Sequence, residues 1–149
     1  MTEIIKKTSP MKTEETATSL SNAPPLLLLI EDTPLALLGL ESIVKKAGYR
    51  FKSAVDGEQG LELVKENDFD LIITDIGLPG LSGIEVTKQI RDWEKVHYRK
   101  KTPIIALSAH AAHLTESECR QAGMDKVFAK PANIDMVQSV VRQFILGHV

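Results

Sequence analysis

Residues 26–32 read Leu26-Leu27-Leu28-Leu29-Ile30-Glu31-Asp32, an unbroken apolar run closed by two acids. A strand with one solvated face alternates apolar and polar side chains. This run does not alternate, so it predicts a strand buried on both faces, as in a parallel sheet covered by helices. It is far too short to span a bilayer.

Downstream of this run the pattern repeats. Between Pro34 and Ala47, Leu37, Leu40 and Val44 recur at helical spacing, and Gly48 supplies a C-terminal stop. Arg50 to Val55 predicts a second strand, turning at Asp56-Gly57. Leu61 and Val64 mark a short helix, and Leu71-Ile72-Ile73-Thr74 a third strand. A helix from Ile84 to about Glu94 leads through a basic loop to a fourth strand, Ile104 to Leu107. A weakly amphipathic helix ends near Gly123, and Val127-Phe128-Ala129 forms a short fifth strand. The last helix starts after Asn133, a good N-cap, and buries Val137, Val140, Val141 and Phe144. Five βα units predict an α/β fold: a doubly wound, five-stranded parallel sheet with right-handed crossovers.

Upstream, the composition changes at Pro24-Pro25. The preceding stretch is rich in Thr, Ser, Lys and Glu. Residues 1–25 are therefore expected to be a flexible tail or interdomain linker, and residues 26–149 one domain. The N-terminus has lysines but no apolar core behind them, so it is no secretory signal. The 149 residues carry a net charge of −2, which points to no polyanionic partner. One cysteine, Cys119, excludes an internal disulfide and a Cys-rich metal site, and fits a reducing compartment.

In open parallel sheets, ligands bind outside the carboxyl ends of the strands. Strand one is followed by Glu31-Asp32, strand three by Asp75, strand four by Ser108 and strand five by Lys130-Pro131. Strand two contributes nothing comparable. Three carboxylates held together repel one another, and a divalent cation relieves the repulsion. Oxygen-only ligands with room for water and phosphate suit Mg2+. Asp75 can then attack a phosphoryl group, while the metal and Lys130 neutralise its oxygens and Ser108 donates a hydrogen bond to one of them. Each residue alone has a plainer reading: Glu31-Asp32 as a helix start, Asp75 as a turn-former, Ser108 as a loop hydroxyl, Lys130 as a solvated charge. Their coincidence at four strand ends favours a site.

Other features carry less. Arg99-Lys100-Lys101 reads as a solvated loop, and His97, His113 and His148 lack metal-ligand spacing. Cys119 reads as a packed thiol and His110 as an exposed loop histidine. No Gly-rich phosphate loop follows strand one.

As a set, the acidic pair, Asp75 with Leu78-Pro79 and Gly83, Ser108-Ala109 and Lys130-Pro131 make residues 26–146 resemble the receiver domain of two-component response regulators. The resemblance implies a flavodoxin-like (βα)5 fold with strand order 2-1-3-4-5. It implies that Asp75 is the phosphoacceptor, Asp32 a direct Mg2+ ligand, Glu31 a ligand largely through water, and the Gly77 carbonyl a further ligand. It makes Ser108 the switch hydroxyl and Lys130 the partner of the phosphate or of Asp75, with Lys130-Pro131 cis. Such a domain catalyses its own phosphorylation and dephosphorylation. One position departs: Val127 stands where the family has its switch aromatic, and strand alternation points Phe128 to the opposite face. Signalling is then expected to use Ser108 and loop movement without that ring.

Pro103-Ile104-Ile105-Ala106-Leu107-Ser108-Ala109 and Ala122-Gly123-Met124-Asp125 are similar to receivers within hybrid sensor histidine kinases. That implies a cytoplasmic module, fused to a kinase that can itself be membrane-anchored. Its partner would be a histidine kinase phosphoacceptor domain or a histidine phosphotransfer domain, with no nucleic acid and no direct membrane contact. The alternatives are a free-standing receiver that binds a target protein, and an aspartate-nucleophile phosphatase. The phosphatase needs a second acid two residues after the nucleophile, where Gly77 stands.

Overall fold

The run that opens the domain forms a strand, β1 (Leu26–Ile30), with Leu27 to Ile30 fully buried. The computed structural model describes residues 23–109 and 113–146. After β1 come α1 (Pro34–Lys46), β2 (Arg50–Ala54), α2 (Gly57–Glu66), β3 (Leu71–Asp75) and α3 (Gly83–Val96). The chain continues through β4 (Ile104–Ser108), α4 (His113–Ala122), β5 (Lys126–Ala129) and α5 (Ile134–Phe144). All strand pairs are parallel, in the order β2-β1-β3-β4-β5.

Alternation along the strands builds two cores. Leu28, Ile30, Ile72, Ile104 and Ala106 pack with Val64 of α2, Val86 and Ile90 of α3, and Cys119 of α4. Leu27, Leu29, Ile73, Ile105 and Leu107 face the other way, against Leu40 and Val44 of α1 and Val137, Val140 and Val141 of α5. Side chains two apart share a sheet face, so unbroken apolar strands serve both layers. Cys119 is fully buried, and burial, with the charges of Glu118 and Glu116, pushes its thiol pKa up. It is a packed thiol, as expected. No helix among the described residues is long and apolar enough to cross a membrane.

Several sequence expectations need adjustment. The chain bends at Asp56 after β2, and Asp56 also caps α2, its Oδ1 accepting from the Gln59 N–H at 2.8 Å. An acid that bonds a backbone N–H three residues on starts a helix as readily as a turn. β2 ends at Ala54, one residue early, and β5 begins at Lys126, one residue early. α3 is longer than expected, beginning at Gly83 and running to Val96. Asp75 and Ser108 are the last residues of their strands rather than the first residues beyond them. Residues 1–22, His110 and His148 lie outside the described residues.

Register sets the functional edge. Ile30 pairs with Thr74, Asp75 with Leu107, and Ser108 with Ala129. Glu31, Asp75, Ser108 and Lys130 therefore emerge at nearly one level. The start of α3 presses on the same edge. Ser82 makes a capping box with Glu85, and the Gly83 N–H donates to the Ile76 carbonyl at 2.9 Å. A Cβ on Gly83 would lie 2.3 Å from the Asp75 carbonyl oxygen and 3.0 Å from the Ile76 Cα. Both neighbours are backbone and cannot rotate away. Gly83→Ala should cost about 2–3 kcal/mol in overpacking. Urea denaturation reads the effect, and an unchanged midpoint would show that the edge yields freely.

Candidate functional site

The site grows from the ends of β1, β3, β4 and β5. Asp75 closes β3 and is 8% exposed. Its Oδ1 accepts from the Gly77 N–H at 3.3 Å, which tucks the β3–α3 loop around the carboxylate. Glu31 leaves β1 and is 2% exposed, and its Oε2 accepts from the Thr33 N–H at 3.0 Å. Asp32 is half-buried, and its carboxylate has no hydrogen bond or ion pair among the described residues. One oxygen from each of Glu31, Asp32 and Asp75 lies within 4.8 Å of the others. Thr33, not Asp32, is the N-cap of α1, and it makes no side-chain bond there. The acidic pair is thus not consumed in starting the helix.

Lys130 reaches in from the end of β5. Its ammonium lies 2.8 Å from Glu31 Oε1 and 3.2 Å from Asp75 Oδ2. The Lys130-Pro131 peptide is cis. Burial alone would lower the Lys130 pKa. The hydrogen bond to Glu31 and the charges of Asp75 and Glu31 outweigh burial and raise it above the ordinary 10.5. Ser108 is buried at the end of β4, and its carbonyl accepts from the Lys130 N–H at 2.8 Å. Val127 is half-buried against the core formed with α2, α3 and α4, whereas Phe128 packs on the α1–α5 side. The two side chains thus divide between the faces as strand alternation predicts, and no aromatic side chain takes the Val127 position.

Two features of this geometry had no signal in the sequence. The shorter partner of Lys130 is Glu31, although the two stand 99 residues apart along the chain. Only the sheet brings them together. The backbone N–H of Thr33, which fixes Glu31, is equally unmarked by residue type.

The donor set suits a hard divalent cation: carboxylate oxygens only, clustered within reach of one ion. Glu31 has donors on both oxygens, so its direct capacity is small, whereas Asp32 is open. Three carboxylates against one ammonium leave the cluster short of positive charge. Asp32→Asn should therefore stabilise the metal-free protein by about 1 kcal/mol, or roughly 3–6 °C in Tm. Thermal denaturation in chelator checks this, and a lowered Tm would mean that the carboxylates do not repel.

Comparison with known proteins gives a consistent picture. Residues 27–142 match the family model described as the response regulator receiver domain. The chain is 31% identical over 123 residues to the sensor histidine kinase GacS of Pseudomonas protegens, covering 83% of this chain and 13% of that kinase. The chain thus spans about an eighth of that relative. It superposes on the receiver domain of the Pseudomonas aeruginosa sensor histidine kinase PA1611, solved with a magnesium ion coordinated in its active-site cleft. The TM-score is 0.75 at 33% identity, covering 84% of this chain and all of that one. A third similar structure is the Ssk1 receiver domain of Saccharomyces cerevisiae, co-crystallised with the histidine phosphotransfer protein Ypd1. There the TM-score is 0.77 at 28% identity, over 82% of this chain and 89% of that one.

Proposed function

This chain belongs to the response regulator receiver family, and on that premise we propose that Asp75 accepts a phosphoryl group from a phosphohistidine and relays it within a two-component phosphorelay. The observation that carries the reading is the buried Asp75 carboxylate, clustered with Glu31 and Asp32 and 3.2 Å from the Lys130 ammonium. A carboxylate oxygen of Asp75 attacks phosphorus. The P–N bond breaks, its electron pair stays on the imidazole nitrogen, and that nitrogen takes up a proton. An ionised carboxylate needs no general base for this step. Lys130 is held by Glu31 beside the acceptor and neutralises charge on the incoming oxygens. The Ser108 hydroxyl donates to one phosphoryl oxygen.

Mg2+, when bound, supplies further neutralisation of the phosphoryl oxygens. In this reading Asp32 and Asp75 hold it directly and the Gly77 carbonyl completes the protein's share. Glu31 acts through water, because both its oxygens already accept hydrogen bonds. With Val127 in place of a switch aromatic, the response runs through Ser108 and the adjoining loop. A complex with a phosphate analogue in which Ser108 keeps its position would overturn that part.

Similarity to two sensor kinases supports a hybrid histidine kinase as the context, and the Ssk1 complex supports a histidine phosphotransfer domain as partner. Phosphohistidine donors are made with ATP, so the proposed compartment is the cytoplasm. Incubation with a small acyl phosphate, with and without Mg2+, tests the core of the reading by intact mass. One added phosphoryl group that requires Mg2+ is expected, and absence of labelling in Mg2+ would refute it. Transfer from a phosphorylated histidine phosphotransfer protein tests the relay.

A further inference from the structure

We propose that a cavity at the sheet edge opposite Asp75 binds small organic anions that carry an aromatic or apolar body. The cavity, about 480 Å³, opens beneath the starts of β3 and β4. That volume falls within the range of roughly 300–1,000 Å³ in which small-molecule sites occur. Phe69, Trp93, Phe144 and Ile145 supply an apolar and aromatic wall.

The charge at the rim selects the ligand. Three carboxylates line the cavity, and each already has donors. Asp68 is bonded to Arg99. Asp70 Oδ2 accepts from the Leu26 N–H at 2.8 Å. Glu94 accepts from Arg91 at 2.9 Å and from the Thr102 N–H at 2.8 Å. Lys100 and Lys101 line the same cavity, are exposed, and have no hydrogen bond or ion pair among the described residues. Asp68 and Glu94 are ion-paired with Arg99 and Arg91, so the charges left without an ion pair are Lys100 and Lys101 against Asp70. One positive charge remains in excess, and the complementary ligand group is an anion.

The backbone bends sharply just before the basic run. Tyr98 follows α3 with φ 54°, in the left-handed region that favours glycine, and is 96% exposed. The turn it makes lets the Arg99 N–H donate to the Glu94 carbonyl at 2.8 Å and lays the Arg99 guanidinium over the Trp93 ring at 5.1 Å. Arg99 is thereby folded back over the cavity wall, while Lys100 and Lys101 stay exposed at its mouth. The His97 ring also lies near Trp93, its centroid 5.0 Å away. The exposed apolar side chains of Val96 and Leu146 belong to the same edge.

Trp93 is the only tryptophan in the sequence, so its emission reports this wall alone. The probe for the full chain is anilinonaphthalene sulfonate, paired with phenylnaphthylamine as its uncharged counterpart. The sulfonate should bind one saturable site, with Trp93 quenched and probe emission sensitised. It should bind more tightly than the uncharged amine. Lys100→Gln with Lys101→Gln should weaken the sulfonate by about five- to thirtyfold and leave the amine unchanged. An unaltered unfolding midpoint and unaltered Asp75 phosphorylation would show that the double variant is intact. No saturable transfer from Trp93, equal affinity for the two probes, or a double variant that binds like wild type would each overturn the proposal.

Discussion

Asp75→Asn is expected to abolish phosphorylation by a small acyl phosphate in Mg2+, a loss on the order of a thousandfold or more. Asparagine keeps the size and the hydrogen-bonding oxygen of aspartate but has no anionic oxygen to offer phosphorus. The neighbouring carboxylates are poor substitutes. Glu31 is 2% exposed, and both its oxygens hold donors, Lys130 Nζ at 2.8 Å and the Thr33 N–H at 3.0 Å. Asp32 is more accessible and is the one real competitor. Intact mass followed by peptide mapping therefore decides the matter. A full phosphoryl increment that persists in Asp75→Asn and maps to Asp32 would end the assignment of the acceptor. The variant should remain folded, because it removes one charge from a crowded acidic cluster.

The second large effect is expected from Lys130→Met, in rate and in stability. Phosphorylation should slow by about a hundred- to a thousandfold, the usual result of removing one fixed positive group from a developing charge. Without metal, the variant should also lose about 2–3 kcal/mol, because Glu31 is left buried without its counter-ion. Mg2+ should restore part of that loss by supplying a different cation to the same carboxylates. The pH dependence has a definite sign. The Lys130 pKa in the folded protein is raised above the ordinary 10.5. Its stabilisation is therefore complete below the unfolded value and fades as pH rises through the folded one. The stability gap between wild type and Lys130→Met should be flat from about pH 7 to about pH 10 and close above that range. Urea denaturation along a pH series measures it. A gap that narrows below neutrality would point to a different group.

How much of this was legible in the sequence depends on the range of each signal. The unalternating run Leu26–Ile30 announced a doubly covered strand, because burial on both faces leaves no place for a polar residue. Asp75, Ser108 and Lys130 were found by asking what each strand carries to its carboxyl end, a question that needs only strand order in the chain. Asp56 marked the bend after β2, but its capping of α2 was not legible, because caps and turns use the same acid and the same backbone bond. The Glu31–Lys130 pair left no local trace, since partners 99 residues apart meet only through the sheet. Gly83 stood in the motif, but its reason, a backbone oxygen where a methyl group would go, belongs to three dimensions. The far cavity was invisible for a related cause. Arg99-Lys100-Lys101 reads as a solvated loop and is exposed, and only the left-handed turn at Tyr98 shows that Arg99 lies over Trp93.

The bridge from Glu31 to Lys130 also bears on how the molecule is made. On the ribosome the acids of β1 and β3 emerge early, and the ammonium that tempers them arrives only with the final βα unit. Until β5 joins the sheet edge, the nascent acceptor pocket is an anionic cluster without its internal counter-ion. Such long-range closure is slow to form. On the proposed reading, competence to accept a phosphoryl group is a property of the finished domain, and a protein stalled or cleaved before β5 would carry Asp75 without its Lys130 partner.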